Sequence, residues 1–311
     1  MYYVIASGKK KSEVGKNVLS EVEEYLKEKK VPFETHISEY RGHTVELAKE
    51  LSNKRDCKAL IAVGGDGTFF EVLNGMNTSV PIGFIPAGTG NDLVRTLNIH
   101  FDVKENVDNI LNNEPKYLDY LTLGDKKAFN IIGTGFDLQL LKKEIELRSK
   151  YNSRKSYQKA LIKTILFYKN YKIKFRVDDG EWQEEKVFMV DCCNGIWAGG
   201  MMGMCLEADP HDGYIDFLYV KSFPRIALLG QLLKFQKKGL LAVKYTKHIK
   251  CKKVEIAIDP QLETELDGEI YDLFPGTIRI VHNELKYFPS SRQPVDPMTY
   301  IETKKARKES L

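Results

Sequence analysis

Two glycine-rich loops, Gly64-Gly65-Asp66-Gly67-Thr68 and Gly88-Thr89-Gly90-Asn91-Asp92, stand about twenty residues apart in the chain. Each follows an apolar run that reads as a buried parallel strand, Ala59–Val63 and Pro81–Ile85. Each also opens a segment with helical spacing, Phe69–Leu73 and Leu93–Leu97. The order strand, glycines, helix constrains the fold strongly. Glycine lets backbone N–H groups approach an anion closely, and the helix N-terminus behind it carries about half a positive charge. Two such loops at adjacent strand ends predict one crevice at the carboxyl edge of an open sheet, where doubly wound folds bind ligands. A single such loop reads equally as an ordinary turn, because Asp-Gly pairs are common turn formers. Two loops in the same strand-loop-helix setting point to a nucleotide-phosphate enzyme. The aspartate in each loop repels phosphate by itself. It suits Mg²⁺, which bridges carboxylates and phosphate oxygens.

Strand and helix alternate around these loops: strands at 2–6, 32–37 and 117–123, helices at 14–29, 43–53 and 103–111. Such alternation predicts an α/β domain with a mostly parallel sheet covered on both faces. After residue 123, short β-type runs take over at 128–132, 173–177, 187–192, 213–220, 253–258 and 277–281. Turn signals at Asp179-Gly180, Asp212-Gly213 and Asp267-Gly268 separate them, which predicts an antiparallel β-sandwich. Helices are expected inside it at 156–171 and 224–237. The expected division is a nucleotide-binding domain over 1–123 and a sandwich over 124–288 that takes the acceptor. A tail from about 289 to 311 is expected to pack back on the first domain.

With 42% apolar and 29% charged residues the chain can bury a sizeable core. No apolar stretch approaches the roughly 20 residues that cross a bilayer. Met1–Lys11 lacks the order of a secretion signal. Five cysteines without a C-x-x-C pair fit reduced thiols in a cytosol. Cys192 and Cys193, as strand neighbours, should face opposite sides. The net charge of +4 is unevenly spread. Residues 142–174 hold eleven Lys/Arg against two acids, and residues 217–254 hold ten with no acid. Such runs suit a solvated face or transient contact with an anionic membrane surface, at about 1 kcal/mol per basic residue. Nucleic acid is not expected, because no helix-turn-helix, RNP or zinc pattern accompanies the charge. The 224–237 helix either packs on its own sheet or lies in a membrane interface.

Gly64–Thr68 followed by Glu71-Val72-Leu73-Asn74-Gly75, and Pro86–Leu93 followed by Arg95, resemble the catalytic domain of bacterial diacylglycerol kinases and related lipid kinases. These are relatives of sphingosine kinases and NAD kinases. Asn130, Gly133–Asp137, Gly199-Gly200, Asp212–Asp216 and Leu266–Glu269 follow in the family's order. The resemblance implies a phosphofructokinase-like nucleotide domain that uses ATP and Mg²⁺, on a cytoplasmic, peripherally membrane-associated protein. A homodimer would be unsurprising.

It further implies a phosphate cradle of Gly64, Gly65, Gly67, Thr68, Gly88, Thr89 and Gly90. Ser7, Lys9, Glu71 and Asn91 would serve the nucleotide, and Asp66, Asp92 and Asp119 the metal and carboxylate network. Asp267, supported by Glu269, would be the base on the lipid hydroxyl, and Asp212 with Tyr214 would hold a second, structural Mg²⁺. On the residues alone, Asp267-Gly268 is equally a hairpin turn and Asp119 a strand-end aspartate.

Two departures stand out. The family's N-P-x-x-G-x-x-K loop is here Ile5-Ala6-Ser7-Gly8-Lys9-Lys10-Lys11, without Asn-Pro. The proline expected before the Asp-Gly loop is replaced in Met204-Cys205-Leu206-Glu207-Ala208. The expected activity is transfer of the γ-phosphate of ATP to a hydroxyl of diacylglycerol or a similar membrane lipid. A kinase for a soluble acceptor (NAD or a sugar phosphate) and a non-catalytic nucleotide or lipid sensor remain as alternatives.

Overall fold

A parallel strand buried on both faces must be apolar throughout, and its side chains then sort by parity into two cores. The computed structural model describes residues 1–8, 13–88, 90–148, 150–151, 153–200, 202–258, 262–292 and 295–299. Its first part runs β1 (Tyr2–Ser7), α1 (Glu13–Glu28), β2 (Phe33–Ser38), α2 (His43–Ser52), β3 (Ala59–Gly64), α3 (Asp66–Gly75), β4 (Ile82–Pro86), α4 (Asp92–Thr96), α5 (Val103–Asn112) and β5 (Lys116–Leu123). Strands β2, β1, β3 and β4 lie side by side and parallel. Tyr3, Ile5, Leu60 and Ala62 face one core with Leu47 of α2 and Leu73 of α3. Val4, Ala6, Ile61 and Val63 face the other with Leu26 of α1 and Ile110 of α5.

The second part runs β6 (Lys126–Ala128), β7 (Ile131–Gly135), α6 (Phe136–Arg148), α7 (Ser153–Phe167), β8 (Tyr171–Val177) and β9 (Gln183–Cys193). A small ribbon, β10 (Trp197–Ala198) and β11 (Met202–Gly203), precedes β12 (Ile215–Lys221). Then come a short 3₁₀ turn, α8 (Leu228–Lys238), β13 (Thr246–Cys251), β14 (Lys253–Ile258), β15 (Thr264–Leu266), β16 (Glu269–Tyr271) and β17 (Gly276–Tyr287). Within this part the paired strands run antiparallel. Cys192 and Cys193 fall into different cores, as strand alternation requires. This is an α/β nucleotide-type domain with a mostly parallel sheet, followed by a β-sandwich.

One strand joins the two parts. β17 begins antiparallel to β14, runs antiparallel along β5, and ends parallel to β4 through Tyr287 opposite Ile82. Its register with β5 shifts between Val281 and Leu285, where Asn283 takes φ 55°.

The structure departs from the sequence reading in several places, the short strands β10, β11, β15 and β16 among them. The run expected at 128–132 is split into β6 and β7 around Phe129-Asn130. The helix expected to reach residue 171 stops at Phe167, and Tyr171 already belongs to β8. Neither α6 nor β13 was anticipated. The 224–237 helix packs on its own sheet through buried Leu228, while Ile226 stands 95% exposed. Among the described residues no helix is long and apolar enough to cross a membrane.

Candidate active site

The glycine loops close the carboxyl ends of β3 and β4, where Gly64 pairs with Pro86. Gly65 caps α3, and its carbonyl accepts from the N–H groups of Thr68 and Phe69. A Cβ on Gly88 would lie 2.5 Å from the Gly65 Cα, so the two loops meet backbone to backbone and only glycine fits. Asn91 sits at φ 57°, a conformation asparagine tolerates. Its Nδ2 donates to Gly88 O at 2.9 Å, while its buried Oδ1 has no partner. Arg95 Nη1 donates to the carbonyls of Gly90 and Asn91 and so pins the second loop. Ser7 ends β1 beside Ser38, whose Oγ accepts from Gly8 N–H. Glu71 is half-buried on α3 and felt by Tyr271. Lys9 and Thr89 lie outside the described residues.

Three of the expected carboxylates converge from both parts of the chain. Asp66 Oδ1 accepts from Leu93 N–H at 3.0 Å. Its Oδ2 points at the second loop, 2.7 Å from where a Cβ on Gly90 would stand. Buried Asp92 accepts from Gly200 N–H at 2.7 Å through Oδ2, tying α4 to the left-handed Gly199-Gly200 turn of the second part. Asp267 occupies the β15–β16 turn at φ 48°, followed by Gly268 at φ 89°. Its Oδ2 accepts from Phe129 N–H at 2.6 Å and its Oδ1 from Asn130 and Ile131 N–H at 2.9 Å each. Burial pushes this carboxyl up to about 6; the three N–H groups pull it back, and the charge of Asp66 adds to the rise. Oδ2 accepts one N–H, so a lone pair remains for another proton.

The other expected acids are placed elsewhere or already committed. Asp119 is fully buried, with Oδ2 on Gly213 N–H at 2.7 Å and Oδ1 on Asn283 N–H at 2.9 Å and His282 Nδ1 at 2.8 Å. It therefore braces the Asp212 loop against the β17 bulge. Glu269 points to Arg41, 3.5 Å away on the surface. Asp212 Oδ1 accepts from Tyr214 N–H at 2.9 Å and its Oδ2 from Lys250 Nζ at 2.6 Å, while the Tyr214 side chain is exposed. The Asp212 carboxylate is thus paired with a surface ammonium here.

The site also contains acids that sequence reasoning missed. Half-buried Asp137 at the start of α6, with buried Asp191 near the end of β9 and buried Glu265 in β15, forms a carboxylate group. Both oxygens of Asp191 and Oδ1 of Asp137 lack partners. Burial first, and then the charge of Asp137, hold Asp191 and Glu265 well above the ordinary carboxylate range. Glu265 also feels Asp92 and Asp267, so the group adjoins the loop carboxylates. A charged residue inside the otherwise apolar run Val187–Cys193 was the available signal.

Asp137 is the charged residue lining an apolar cleft. Its walls come from α6 (Phe136, Leu140), β9 (Phe188, Met189), α8 (Leu232, Phe235) and the connecting segments (Met204, Phe223). Hard carboxylate oxygens on Asp66 and Asp92 beside two phosphate-type loops fit a Mg²⁺–phosphate group. Asp66 Oδ2 has no described partner and could take part in holding such a group.

Comparison with known proteins agrees with this geometry. Residues 2–123 match the family described as the diacylglycerol kinase catalytic domain, and residues 130–288 the YegS C-terminal NAD kinase beta sandwich-like domain. A Staphylococcus aureus (strain Newman) protein named "Putative lipid kinase" is 26% identical over 260 residues, covering 80% of this chain and 84% of its own. The crystal structure of a diacylglycerol kinase from Bacillus anthracis superposes with a TM-score of 0.73 at 21% identity, over 93% of this chain and 97% of that one. An Archaeoglobus fulgidus NAD kinase in complex with ATP shares the fold more distantly, with a TM-score of 0.56 at 15% identity over 97% and 99% of the two chains. The chain belongs to the diacylglycerol kinase family of lipid kinases, with the family's catalytic domain and its NAD-kinase-like β-sandwich both present.

Proposed function

We propose that this kinase transfers the γ-phosphate of ATP to a hydroxyl of a membrane lipid, with diacylglycerol as acceptor and phosphatidic acid as product. The observation that carries the reading is the meeting of Asp66, Asp92 and Asp267, which Glu265 links to Asp137 on the wall of an apolar cleft. The Gly65 and Gly88 loops and the α3 N-terminus would receive the donor phosphates. Asp66 and Asp92 would hold Mg²⁺, which supplies charge neutralisation between the donor phosphates.

Asp267 would accept the hydroxyl proton at Oδ2, while three N–H bonds fix its orientation. A carboxyl at about 6 is ionised near neutral pH yet basic enough to take a proton. The cleft would take an acyl chain and exclude water from the transfer. Asp137, on the cleft wall, would accept from a polar group of the lipid head.

Membrane contact follows from the same region. Ile162, Leu166 and Phe167 of α7 and Ile226 and Leu233 near α8 are exposed, and Lys159, Lys163, Lys234 and Lys237 accompany them in sequence. Apolar side chains among lysines suit an anionic lipid surface.

The test is γ-phosphate transfer from labelled ATP, with diacylglycerol, phosphatidylglycerol and ceramide offered in mixed micelles beside NAD and fructose 6-phosphate in solution. Labelled phosphatidic acid that requires Mg²⁺ and falls with ionic strength is expected. Label on a soluble acceptor would overturn the reading, as would ATP binding without turnover on any lipid.

A further inference from the structure

Outside the carboxylate site, a second group of side chains has ligand chemistry of another kind. Cys205, at the start of the segment that leads from β11 to the Asp212 loop, meets Asp216 of β12 and His248 of β13. One donor atom from each lies within 4.8 Å of the other two. His248 is placed diagonally from Asp216 in the β12–β13 ladder, where Asp216 opposes Lys250 and Leu218 opposes His248. His248 Nε2 is 2.6 Å from Asp216 Oδ1. Asp216 is 1% exposed, and its Oδ2 has no partner at all. The Cys205 thiol is fully buried and free. On the far side of the imidazole, Glu207 Oε2 is 3.9 Å from Nδ1.

We infer that Cys205, Asp216 and His248 form a structural Zn²⁺ site. A thiolate, an imidazole and one carboxylate are the ligands that select zinc over magnesium. His248 would ligate through Nε2, and Glu207 would orient the ring through Nδ1, the arrangement metal-bound imidazoles use. The fourth position is open to water, with the Cys193 thiol close behind Cys205. Binding displaces the thiol proton of Cys205 to solvent, and the imidazole keeps its proton on Nδ1, where Glu207 accepts it.

The nearest adverse charge is Lys250, 4.0 Å from Asp216 Oδ1, but its ammonium is held by Asp212. An unpartnered carboxylate oxygen beside a buried thiol costs stability in the absence of an ion, and an ion removes that cost. The site would clamp the segment carrying Glu207 and Asp212 to the outer strand of the sandwich, away from the phosphate loops.

The test is metal binding by the full chain, without any assay of transfer. After chelation and dialysis against zinc chloride, the wild type should retain one zinc per chain and unfold at a higher temperature. Loaded with Co²⁺, it should show a thiolate-to-cobalt charge-transfer band. Cys205→Ser should lose that band, His248→Gln should lose stoichiometric zinc, and Glu207→Gln should weaken binding by about 10–100-fold. Substoichiometric zinc on the wild type would overturn the site. So would a cobalt spectrum without a thiolate band, which needs no variant to fold. A spectrum and stoichiometry unchanged in Cys205→Ser would place the metal elsewhere and overturn it equally.

Discussion

The chain makes two Asp-Gly hairpin turns with left-handed aspartates, and they have opposite chemistry. Between β8 and β9, Asp179 at φ 64° turns outward; it is 72% exposed and salt-bridged to Lys253, which holds its carboxyl below the ordinary range. Between β15 and β16, Asp267 at φ 48° turns inward onto three backbone N–H groups, and burial pushes its carboxyl up to about 6. The dipeptide supplies the backbone geometry in both. The surroundings decide whether the carboxylate is a surface counter-ion or a poised base.

The largest effect that would sharpen this contrast is expected from Asp267→Asn. It should lower kcat by about 10²–10⁴-fold, the range for loss of a general base, while ATP binding measured by calorimetry persists. Turnover near that of the wild type would remove Asp267 from the reaction. The same residue should set the acid limb of kcat/KM. Its raised carboxyl binds a proton below about 6, so the rate should climb as pH rises through that value and level off above it. A profile flat between pH 5 and 8 would mean that the measured step does not depend on this group. Filling the cleft with Leu232→Trp should cut kcat/KM for a long-chain lipid by roughly tenfold, in line with lost pocket volume. The KM for ATP should stay unchanged, and a short-chain acceptor should be spared.

A smaller effect should come from Asp191→Asn. The folded-state carboxyl of Asp191 lies well above its unfolded value. Its contribution to stability is therefore present in acid and lost as pH rises through the folded value. The neutral amide escapes that loss, so Tm at pH 8 should exceed the wild type by on the order of 2–4 °C. The gap should close on acidification. A lower Tm at pH 8 would show that a cation or another partner compensates Asp191. The smallest effect is expected from Asp179→Asn, which should leave turnover and Tm unchanged, because an exposed pair contributes little. A loss of activity there would break the distinction between the two turns.

Much of the first domain was legible because strands such as Ala59–Val63 are buried on both faces and so apolar at every position. The glycine loops were legible because the Gly65–Gly88 contact admits no side chain. Helix α6 was hidden: its apolar residues do not form one stripe, since Phe136, Leu138, Leu140 and Leu147 are buried while Ile145 is 48% exposed. Strand β13 was hidden by Lys247, His248 and Lys250, which decorate an outer strand paired on one side. Asp137, Asp191 and Glu265 come from three distant segments, and no local pattern announces their meeting. The partner of Asp212 was equally hidden, because Lys250 lies far along the chain.

The strand shared by both domains has a consequence for biosynthesis. Thr78 and Glu284, which hydrogen-bond at 2.8 Å, are 206 residues apart, and β4 finds its neighbour β17 over a similar separation. A ribosome therefore delivers both phosphate loops long before the strand that completes their sheet. Contacts this remote in sequence are slow to form. The nucleotide cleft is accordingly completed only once β17 has been made. A chain cut short before Gly276 would carry the whole glycine signature and still lack a finished sheet to hold it.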